Sequence, residues 1–298
     1  MNKGIGVLVS ERITVGLIEN NRLSGQIRSF PDDPEIDDAL VGLPAEMIAR
    51  QVAEEVFQLG GLEGVGYLGV GFPGMIRDNV IEDSPNLPQL KGSQMGQLLK
   101  DALGPLLGKV PVICFNDADI FAAGMAATRD HLDRLVRVWT LGNGIGYGRY
   151  PHHEGAWEAG HSVVTLDPKE NLCGCGGLGH LEGIMGQRAM RLRFMDMEPE
   201  EIFQQALGGD QRCIDFVKLW HRALAAGTAT SIHLDGPGKF FVTGFNARFV
   251  NMTLLGEYVN EMVKLSPLQG YSLEVVTGGE EVAVIGAAVN ASRWRGRT

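Results

Sequence analysis

Two cysteines and two histidines fall within one short glycine-rich stretch, at His161, Cys173, Cys175 and His180. Zinc in proteins is typically held by four cysteine and histidine ligands at the corners of a tetrahedron, so these side chains predict a zinc site. A closed set of four protein ligands leaves no position for a catalytic water, which indicates a structural metal. Two cysteines one residue apart could also be packing or chance. The surrounding glycines favour the metal, because glycine lets the backbone curl around a small ion.

A second group of polar side chains, Asn116 and Asp117, follows a predicted strand and precedes a predicted helix. In open α/β sheets, ligands bind beyond the carboxyl ends of the strands, so Asp117 is a candidate for chemistry. An aspartate at this point could instead only cap the helix, which is worth about 1 kcal/mol. The residue types alone leave both interpretations open.

A third feature is a glycine-rich turn between two predicted strands, formed by Gly142, Asn143, Gly144, Ile145 and Gly146. It could be a plain β-hairpin turn. It could also offer backbone N–H groups to a phosphate, because successive main-chain amides can form a concave site for an anion. A single glycine-rich turn does not decide between the two.

Length, charge and cysteine content limit the class of protein. A chain of 298 residues with 44% apolar residues is long enough for about two globular domains. The formal net charge of −10 argues against nucleic acid or an anionic membrane as a partner. The few cysteines do not make a disulfide framework, so we expect a reducing, cytoplasmic setting. No apolar run reaches the length of a membrane span, and the N-terminal run is too short for a signal peptide.

Hydrophobic periodicity predicts alternating strands and helices, which is typical of an α/β protein. Successive strands are predicted within residues 4–30, and an apolar final helix is predicted at 281–292. Small residues in that helix, Gly286, Ala287 and Ala288, permit close packing or a hinge.

These features together resemble the ROK (repressor, open reading frame, kinase) family of sugar kinases, and the resemblance runs along nearly the whole chain. The family carries E-x-G-H followed by C-x-C-G-x-x-G-C-x-E. Here residues 158–161 read E-A-G-H and residues 173–182 read C-G-C-G-G-L-G-H-L-E. Four further segments match family motifs in the same order, namely F-P-G at 72–74, S-P-N-L-P at 84–88, N-D-A at 116–118 and L-G-N-G-I-G at 141–146. Such an ordered set is very improbable by chance.

The resemblance implies a two-domain actin-like ATPase fold, the α/β fold of actin, hexokinase and Hsp70 with ribonuclease H-like domains. We therefore expect an N-terminal α/β domain over residues 1–118, joined by a C-terminal helix at about 281–298. A C-terminal α/β domain over residues 119–280 is expected to carry the zinc loop. In this fold the nucleotide lies in the cleft between the domains, with the sugar next to it.

The resemblance also implies roles for single residues in an ATP- and Mg²⁺-dependent kinase that phosphorylates a hexose or an N-acetylhexosamine. Asp117 matches the general base that takes a proton from a sugar hydroxyl. The positions that match sugar contacts are Gly74, Asn86, Asn116, Asp117, Glu158, His161 and Glu182. Those that match nucleotide contacts are Gly142, Asn143, Gly144, Gly146 and Gly244. Zinc is expected to hold His161 by one ring nitrogen so that the other faces the sugar.

Two departures from the family pattern concern the sugar side. The third cysteine of the family motif is His180 here, and imidazole is an equally competent ligand, so a Cys2His2 site is expected. The glycine that usually precedes the E-x-G-H glutamate is Trp157, a bulky side chain that is expected to narrow or reshape the sugar pocket.

The larger departures concern the nucleotide side. The family begins with the phosphate loop D-x-G-G-T, and the aligned residues here are Val7, Leu8, Val9, Ser10 and Glu11. Valine replaces the aspartate that helps to hold hydrated Mg²⁺, and glutamate brings negative charge to the position of the phosphates. Two like charges 4 Å apart repel by about 4 kcal/mol at an effective dielectric constant of about 20. The adenosine-side motif, normally a glycine run, reads V-T-G-F-N at 242–246.

The leading hypothesis is therefore a glucokinase-like sugar kinase, expected as a homodimer or homotetramer by analogy with the family. The alternative is a sugar-binding pseudokinase, a sensor or scaffold that does not transfer phosphate. A phosphoryl donor other than ATP, such as polyphosphate, is a variant of the first hypothesis. A transcription repressor is disfavoured, because such members carry an N-terminal helix-turn-helix whereas this chain starts directly at the first strand, and because the net charge is negative.

Overall fold

Strands and helices alternate along the chain in a computed structural model that describes residues 3–33, 36, 39–153, 155, 158–264, 270–277 and 279–294. Trp157 and the predicted helix residues beyond Trp294 lie outside this part. Its strands are β1 (Lys3–Val9), β2 (Ile13–Glu19), β3 (Arg22–Leu23), β4 (Arg28–Phe30), β5 (Leu68–Phe72), β6 (Met75–Arg77), β7 (Val80–Asp83), β8 (Val112–Asn116), β9 (Val136–Leu141), β10 (Ile145–Tyr150), β11 (Lys239–Thr243) and β12 (Ser272–Val275). Its α-helices are α1 (Ala45–Gln58), α2 (Met95–Leu107), α3 (Asp117–Thr128), α4 (Glu182–Met185), α5 (Gln187–Arg193), α6 (Pro199–Leu207), α7 (Gln211–Asp235), α8 (Met252–Met262) and α9 (Glu280–Trp294). None of the helices in the described ranges is both long and apolar enough to cross a membrane.

The chain divides into two units, each with its own main sheet, and the first unit also contains the two-stranded sheet β6-β7. The first unit comprises Met1–Val136, Gly148–Ala156 and Gly278–Thr298, and the second comprises Arg137–Tyr147 and Trp157–Thr277. The division after residue 136 differs from the expected boundary after residue 118. The physical reason is that α3 packs along α9 and so stays with the N-terminal unit.

The sheet of the first unit has the strand order β3-β2-β1-β5-β8, and β4 also pairs with β2. Strand β1 is antiparallel to β2 and parallel to β5. On one face, apolar side chains such as Val7 and Val9 form a core with α1 and α2. On the other face, Gly6 lets the backbone of α9 lie directly on the sheet, because a Cβ there would be 1.8 Å from the main-chain O of Val284. Both faces are thus covered, which explains why β1 reads as a continuous apolar strand.

Helix α3, which begins at Asp117, is held against α9 by two glycines. A Cβ on Gly286 would lie 1.7 Å from the main-chain O of Ile120, and one on Gly124 would lie 1.9 Å from that of Val282. The close packing that the small residues of the last helix permit is therefore present. It fixes the helix that carries the candidate base.

The sheet of the second unit has the strand order β10-β9-β11-β12. The long helix α7 packs on this sheet, and Trp139 Nε1 donates a hydrogen bond to Thr228 Oγ1 at 3.1 Å. A Cβ on Gly227 of the same helix would lie 3.1 Å from Leu181 Cδ2. The glycine thus makes room for Leu181, and Glu182 follows directly at the start of α4.

Candidate active site

Asn116 and Asp117 lie where β8 ends and α3 begins. Asn116 caps the helix, because its Oδ1 accepts a hydrogen bond from the main-chain N–H of Ala118 at 2.8 Å. Its Nδ2 donates to the main-chain O of Gly74 at 2.8 Å, which ties the loop after β5 to the start of α3. Asp117 is half-buried in the first helical turn, where the helix dipole favours a negative charge. Asp117 Oδ1 accepts from the same N–H of Ala118 at 2.8 Å, so this contact is compatible with both a capping and a catalytic role for Asp117.

Gly74 occupies a position that only glycine tolerates. Its φ is 106°, and a Cβ would lie 2.1 Å from the main-chain O of Asp83. The neighbouring Ser84 Oγ donates to the main-chain O of Pro73 at 2.7 Å, so the segments 72–74 and 84–88 pack together. Asn86 lies in the bend after β7 and is exposed. The structure thus brings Gly74 to Asn116, and places Asn86 on the segment that packs against Gly74.

The four predicted metal ligands converge, and their ligand atoms all lie within 4.8 Å of one another. Cys173 Sγ is 3.4 Å from Cys175 Sγ and 3.4 Å from His161 Nδ1, and Cys175 Sγ is 3.2 Å from His180 Nδ1. Zinc bonds of about 2.3 Å to sulfur and 2.0–2.1 Å to nitrogen imply tetrahedral ligand atoms about 3.3–3.8 Å apart. The number and chemistry of these residues fit one zinc ion, and three of the separations are close to this range, whereas the widest, up to 4.8 Å, would shorten on binding.

The two histidines of this cluster are oriented by their surroundings. His161 turns Nδ1 to the cysteines, and its Nε2 lies 3.9 Å from Glu158 Oε2. The His180 ring lies over Gly177, where a Cβ would be only 2.0 Å from the ring. Gly179 has a φ of 68° and approaches the main chain of Thr165. Gly177 is thus required by the position of the His180 ring and Gly179 by the approach of Thr165, and His161 offers one nitrogen on each side of its ring.

Glu182 lies close to the cluster without belonging to it. Its Oε1 is 3.5 Å from Cys173 Sγ. Burial, with an added contribution from the Glu182 carboxylate, raises the pKa of the Cys173 thiol to about 12. A metal ion that binds here must therefore displace the thiol proton.

The same glutamate also contacts the glycine-rich turn between β9 and β10. Glu182 Oε2 accepts a hydrogen bond from the main-chain N–H of Ile145 at 3.0 Å. A Cβ on Gly144 would lie 2.5 Å from that oxygen, so glycine is needed there for the carboxylate to approach. One side chain thus connects the metal loop with the turn that matches nucleotide contacts, a connection that the sequence did not predict.

The glycine-rich turn is anchored at its first residue. The N–H of Gly142 donates to the main-chain O of Gly144 at 3.0 Å. The main-chain O of Gly142 accepts from the N–H of Gln187 at 3.2 Å and from Asn246 Nδ2 at 3.1 Å. Gln187 Nε2 also donates to Asn246 Oδ1 at 3.3 Å, and Asn246 is fully buried. The turn therefore has a fixed main-chain conformation.

Sequence reasoning missed Gln187 and Asn246 as residues that hold this turn. Asn246 stands in the V-T-G-F-N segment, two residues after the predicted nucleotide contact Gly244. This closeness in sequence could have indicated that Asn246 contributes to the same site. Gln187 follows Gly186, the residue that separates α4 from α5. Gly244 itself has a φ of 94°, and a Cβ there would lie 2.5 Å from the main-chain O of Leu141.

The first turn, between β1 and β2, has a different structure. Val7 is fully buried in the core, so its side chain cannot take the place of a metal-binding carboxylate. The N–H of Ser10 donates to the main-chain O of Arg12 at 3.0 Å, which closes a tight turn. Glu11 is exposed at its tip. Arg12 Nε lies 3.1 Å from Glu280 Oε1 at the start of α9, an ion pair within the first unit.

Comparisons with protein families and with known proteins point to the same family of sugar kinases. Residues 42–293 match the model of the ROK family. The chain is 29% identical over 262 residues to a glucokinase of Pyrobaculum calidifontis, with 83% of each chain covered. It is also 29% identical over 285 residues to a glucokinase of Thermotoga maritima, covering 84% of this chain and 87% of that protein. The family match begins after the first turn and includes both Asp117 and the metal cluster.

Solved structures resemble the chain over nearly its whole length. A ROK hexokinase of Thermus thermophilus has a TM-score of 0.79 at 24% identity, covering 99% of this chain and 100% of that chain. A ROK glucokinase of Streptomyces griseus, in complex with glucose and AMPPNP, has a TM-score of 0.68 at 21% identity, covering 98% and 99%. These likenesses confirm the predicted two-domain actin-like ATPase fold class.

Proposed function

This chain belongs to the ROK family, as its motifs predict, and we propose that it is a glucokinase-like sugar kinase that transfers the γ-phosphate of ATP to a hexose or an N-acetylhexosamine. The observation that carries the proposal is Asp117, a half-buried carboxylate at the N-terminus of α3 next to Asn116, which is itself tied to Gly74. The similarity to two glucokinases along more than four fifths of the chain supports the same reaction.

In the proposed step, Asp117 accepts the proton of one sugar hydroxyl while that oxygen attacks the γ-phosphorus of ATP. The new bond joins the sugar oxygen to phosphorus, and the bond to the oxygen that bridges the β- and γ-phosphates breaks. ADP leaves with that oxygen, and the sugar leaves as its phosphate ester. The carboxylate is suited to this work because it is held in place by Ala118 N–H at 2.8 Å and by the packing of α3 against α9.

The sugar itself is expected to be bound by polar side chains that grip several hydroxyls at once. Carboxylates accept charge-assisted hydrogen bonds from hydroxyls, and amides both donate and accept. The proposed sugar contacts are Gly74, Asn86, Asn116, Asp117, Glu158, His161 and Glu182. The metal ligands would be His161, Cys173, Cys175 and His180, and a bound zinc ion would fix the His161 ring so that Nε2 is available to the sugar.

The proposed nucleotide contacts are the main-chain groups of the anchored turn and its neighbour, namely Gly142, Asn143, Gly144, Gly146 and Gly244. A turn of fixed conformation with successive glycines can present N–H groups to a phosphate without reorganisation. Buried Val7 cannot hold a metal-bound water. We therefore expect Mg²⁺ to enter with ATP, held mainly by the phosphates and water, as is usual for this ion.

A sugar-binding pseudokinase is the second candidate, because one specific observation favours it. Strand β1 buries Val7 where the family has an aspartate, and the turn after it exposes Glu11 where the family has threonine. Both changes weaken the binding of a negatively charged donor. A pseudokinase would keep the sugar contacts and lose phosphoryl transfer.

The test is a coupled assay for ADP release with MgATP and a panel of hexoses and N-acetylhexosamines, with the product identified by phosphorus NMR. We expect one or more sugars to be phosphorylated. Asp117→Asn is expected to lower kcat by about 100- to 10,000-fold at saturating sugar, the usual contribution of a general base. Asp101→Asn makes the same chemical change on the exposed surface of α2 and is expected to leave kcat unchanged.

Calorimetric titration separates the two candidates. Sugar binding without ATP binding at millimolar MgATP would establish the pseudokinase. Heat from neither sugar nor nucleotide would overturn both candidates.

A further inference from the structure

A buried ion pair lies at the base of the loop that carries three of the four metal ligands, residues 170–180. Glu170, the first residue of this loop, is only 7% exposed. Arg193 Nη1 donates a hydrogen bond to Glu170 Oε1 at 3.0 Å, and Arg193 Nη2 donates to Glu170 Oε2. Two parallel contacts between a guanidinium and a carboxylate are strong and fix the orientation of both groups. The pair therefore fixes the point at which the loop begins.

Glu170 also closes the loop through its main chain. Its carbonyl O accepts a hydrogen bond from the N–H of Gly179 at 2.6 Å. Cys173 and Cys175 lie between these two residues, and His180 follows Gly179 directly. Three ligands thus belong to a loop whose two ends meet at one buried glutamate.

Arg193, the partner of this glutamate, is held on a fixed part of the second unit. It is the last residue of α5, and Met190 of the same helix is fully buried in the core. The guanidinium lies 5.5 Å from the centroid of the Phe216 ring on α7. At the other end of α5, the N–H of Gln187 donates to the main-chain O of Gly142 at 3.2 Å. The ion pair therefore connects the loop to a helix that is anchored at both ends.

The charges of this pair point to a role in geometry more than in stability. Taking a carboxylate and a guanidinium out of water is costly, and apolar residues of similar volume often give a protein equal or greater stability. The pair does, however, define the position of the loop in a way that apolar contacts do not. Metal affinity depends on such definition, because ligands that are already in place lose less conformational freedom on binding.

We propose that Glu170 and Arg193 are positioning residues for the metal. They hold the ends of the loop together, so that the three ligands of the loop meet His161 with little further ordering of the chain. Neither residue is itself a ligand. The inference rests on the proposed zinc ligands and adds the contact that brings them together.

The test measures the Kd for zinc of the full chain by competition with a chelator, alongside the melting temperature. Arg193→Gln is expected to raise the zinc Kd roughly 10- to 100-fold, the usual cost of losing a residue that orients metal ligands. Arg193→Lys keeps the charge without the two parallel contacts and is expected to raise it by less. Arg191→Gln is the matched control, because it breaks an exposed ion pair with Glu198 on the same helix, and is expected to leave the zinc Kd unchanged.

A double variant shows whether the two residues act through their contact. Glu170→Gln combined with Arg193→Gln is expected to raise the zinc Kd about as much as the larger single change, whereas independent effects would multiply. Cobalt(II) in place of zinc reports the ligands by its visible absorption spectrum. That spectrum is expected to be the same in every variant, because no ligand is removed.

An unchanged zinc Kd in both glutamine variants would overturn this inference even if their melting temperatures fall, since the pair would then serve stability alone. Effects that multiply in the double variant, or an altered cobalt spectrum, would also overturn it. Each of these results leaves the proposed zinc ligands standing, whereas an unchanged chain that binds no zinc would overturn both. If the glutamine variants do not fold, Arg193→Lys against Arg191→Gln decides by the same comparison.

Discussion

Two short turns of the molecule, residues 10–12 and 142–144, each connect two consecutive strands that lie side by side, and they differ in almost every other respect. The first is formed by Ser10, Glu11 and Arg12, and its flanking strand residues Val7 and Val9 belong to the core. The second has glycine at 142 and 144, is followed by Gly146 in β10, and is held by hydrogen bonds from outside. The same kind of connection between adjacent strands therefore presents side chains in the first turn and main chain in the second.

The physical reason for the difference is whether a ligand can reach the main chain of the turn. A turn binds a phosphate by main-chain N–H groups only if no side chain stands in the way, and glycine meets that condition. In the second turn, the glycine at 144 also lets Glu182 reach Ile145 N–H. In the first turn, the exposed side chain is that of Glu11, which carries a negative charge, and the positive charge of Arg12 is paired with Glu280. We expect the second turn to dominate donor binding, and three predictions test this difference.

The largest expected effect concerns how the two regions are held in place. The first turn is fixed by the hydrophobic core, whereas the residues beside Glu182 would be fixed by the proposed zinc ion. A structural zinc site contributes about 10 kcal/mol or more in small zinc domains. Removal of the metal by a chelator is therefore expected to speed amide hydrogen exchange over residues 158–182 by at least roughly 100-fold, or about 2.7 kcal/mol. Exchange over residues 3–19 is expected to stay the same.

The matched variants for this experiment are serine substitutions of two cysteines, one inside the metal cluster and one outside it. We expect elemental analysis to give one zinc ion per chain for the unchanged protein and none for Cys175→Ser, which removes an exposed ligand. Cys213→Ser changes a buried cysteine outside the cluster and is expected to retain it. Zinc in both variants, or in neither, would contradict the proposed ligand set.

The next effect concerns the glycines of the second turn. Gly144→Ala places a Cβ 2.5 Å from Glu182 Oε2 and is expected to push the carboxylate away from Ile145 N–H. A hydrogen bond to a charged group contributes about 1.5–3 kcal/mol, so sugar affinity is expected to fall roughly 10- to 150-fold in titrations without nucleotide. Gly142→Ala has no atom nearer than 4.0 Å to its Cβ and is expected to leave sugar affinity unchanged. Equal losses in both variants would show that Glu182 does not depend on this contact.

The smallest effect concerns the charge of the first turn. Glu11→Gln removes a negative charge from an exposed side chain, where a charge pair is worth about 0.2–1 kcal/mol. The Kd for MgATP is therefore expected to fall about 1.5- to 5-fold at low salt and to approach that of the unchanged chain at high salt. Glu46→Gln on α1 makes the same change elsewhere in the first unit and is expected to have no effect. No response of Glu11→Gln at low salt would mean that the phosphates do not approach the first turn.

The sequence was informative where chemistry and local pattern coincide. The four metal ligands were predicted from residue type and spacing, and they converge. Asn116 and Asp117 were predicted at the junction of a strand and a helix, and they lie at the end of β8. The boundary between the two units could not be predicted from residue type and local spacing. It depends on α3 packing along α9, through contacts of Gly124 and Gly286 that join distant parts of the chain.

The sequence by itself thus determined the side chains available for chemistry, from the cysteines and histidines of the metal cluster to Asp117, because residue type and local spacing set those. Only the tertiary structure decided how Glu182 and Asn246 hold the glycine-rich turn. Their partners, Ile145 and Gly142, lie 37 and 104 residues away along the chain. The physical reason is that a buried polar group takes whichever partner the packing brings to it. Periodicity and motif spacing describe only neighbours in sequence.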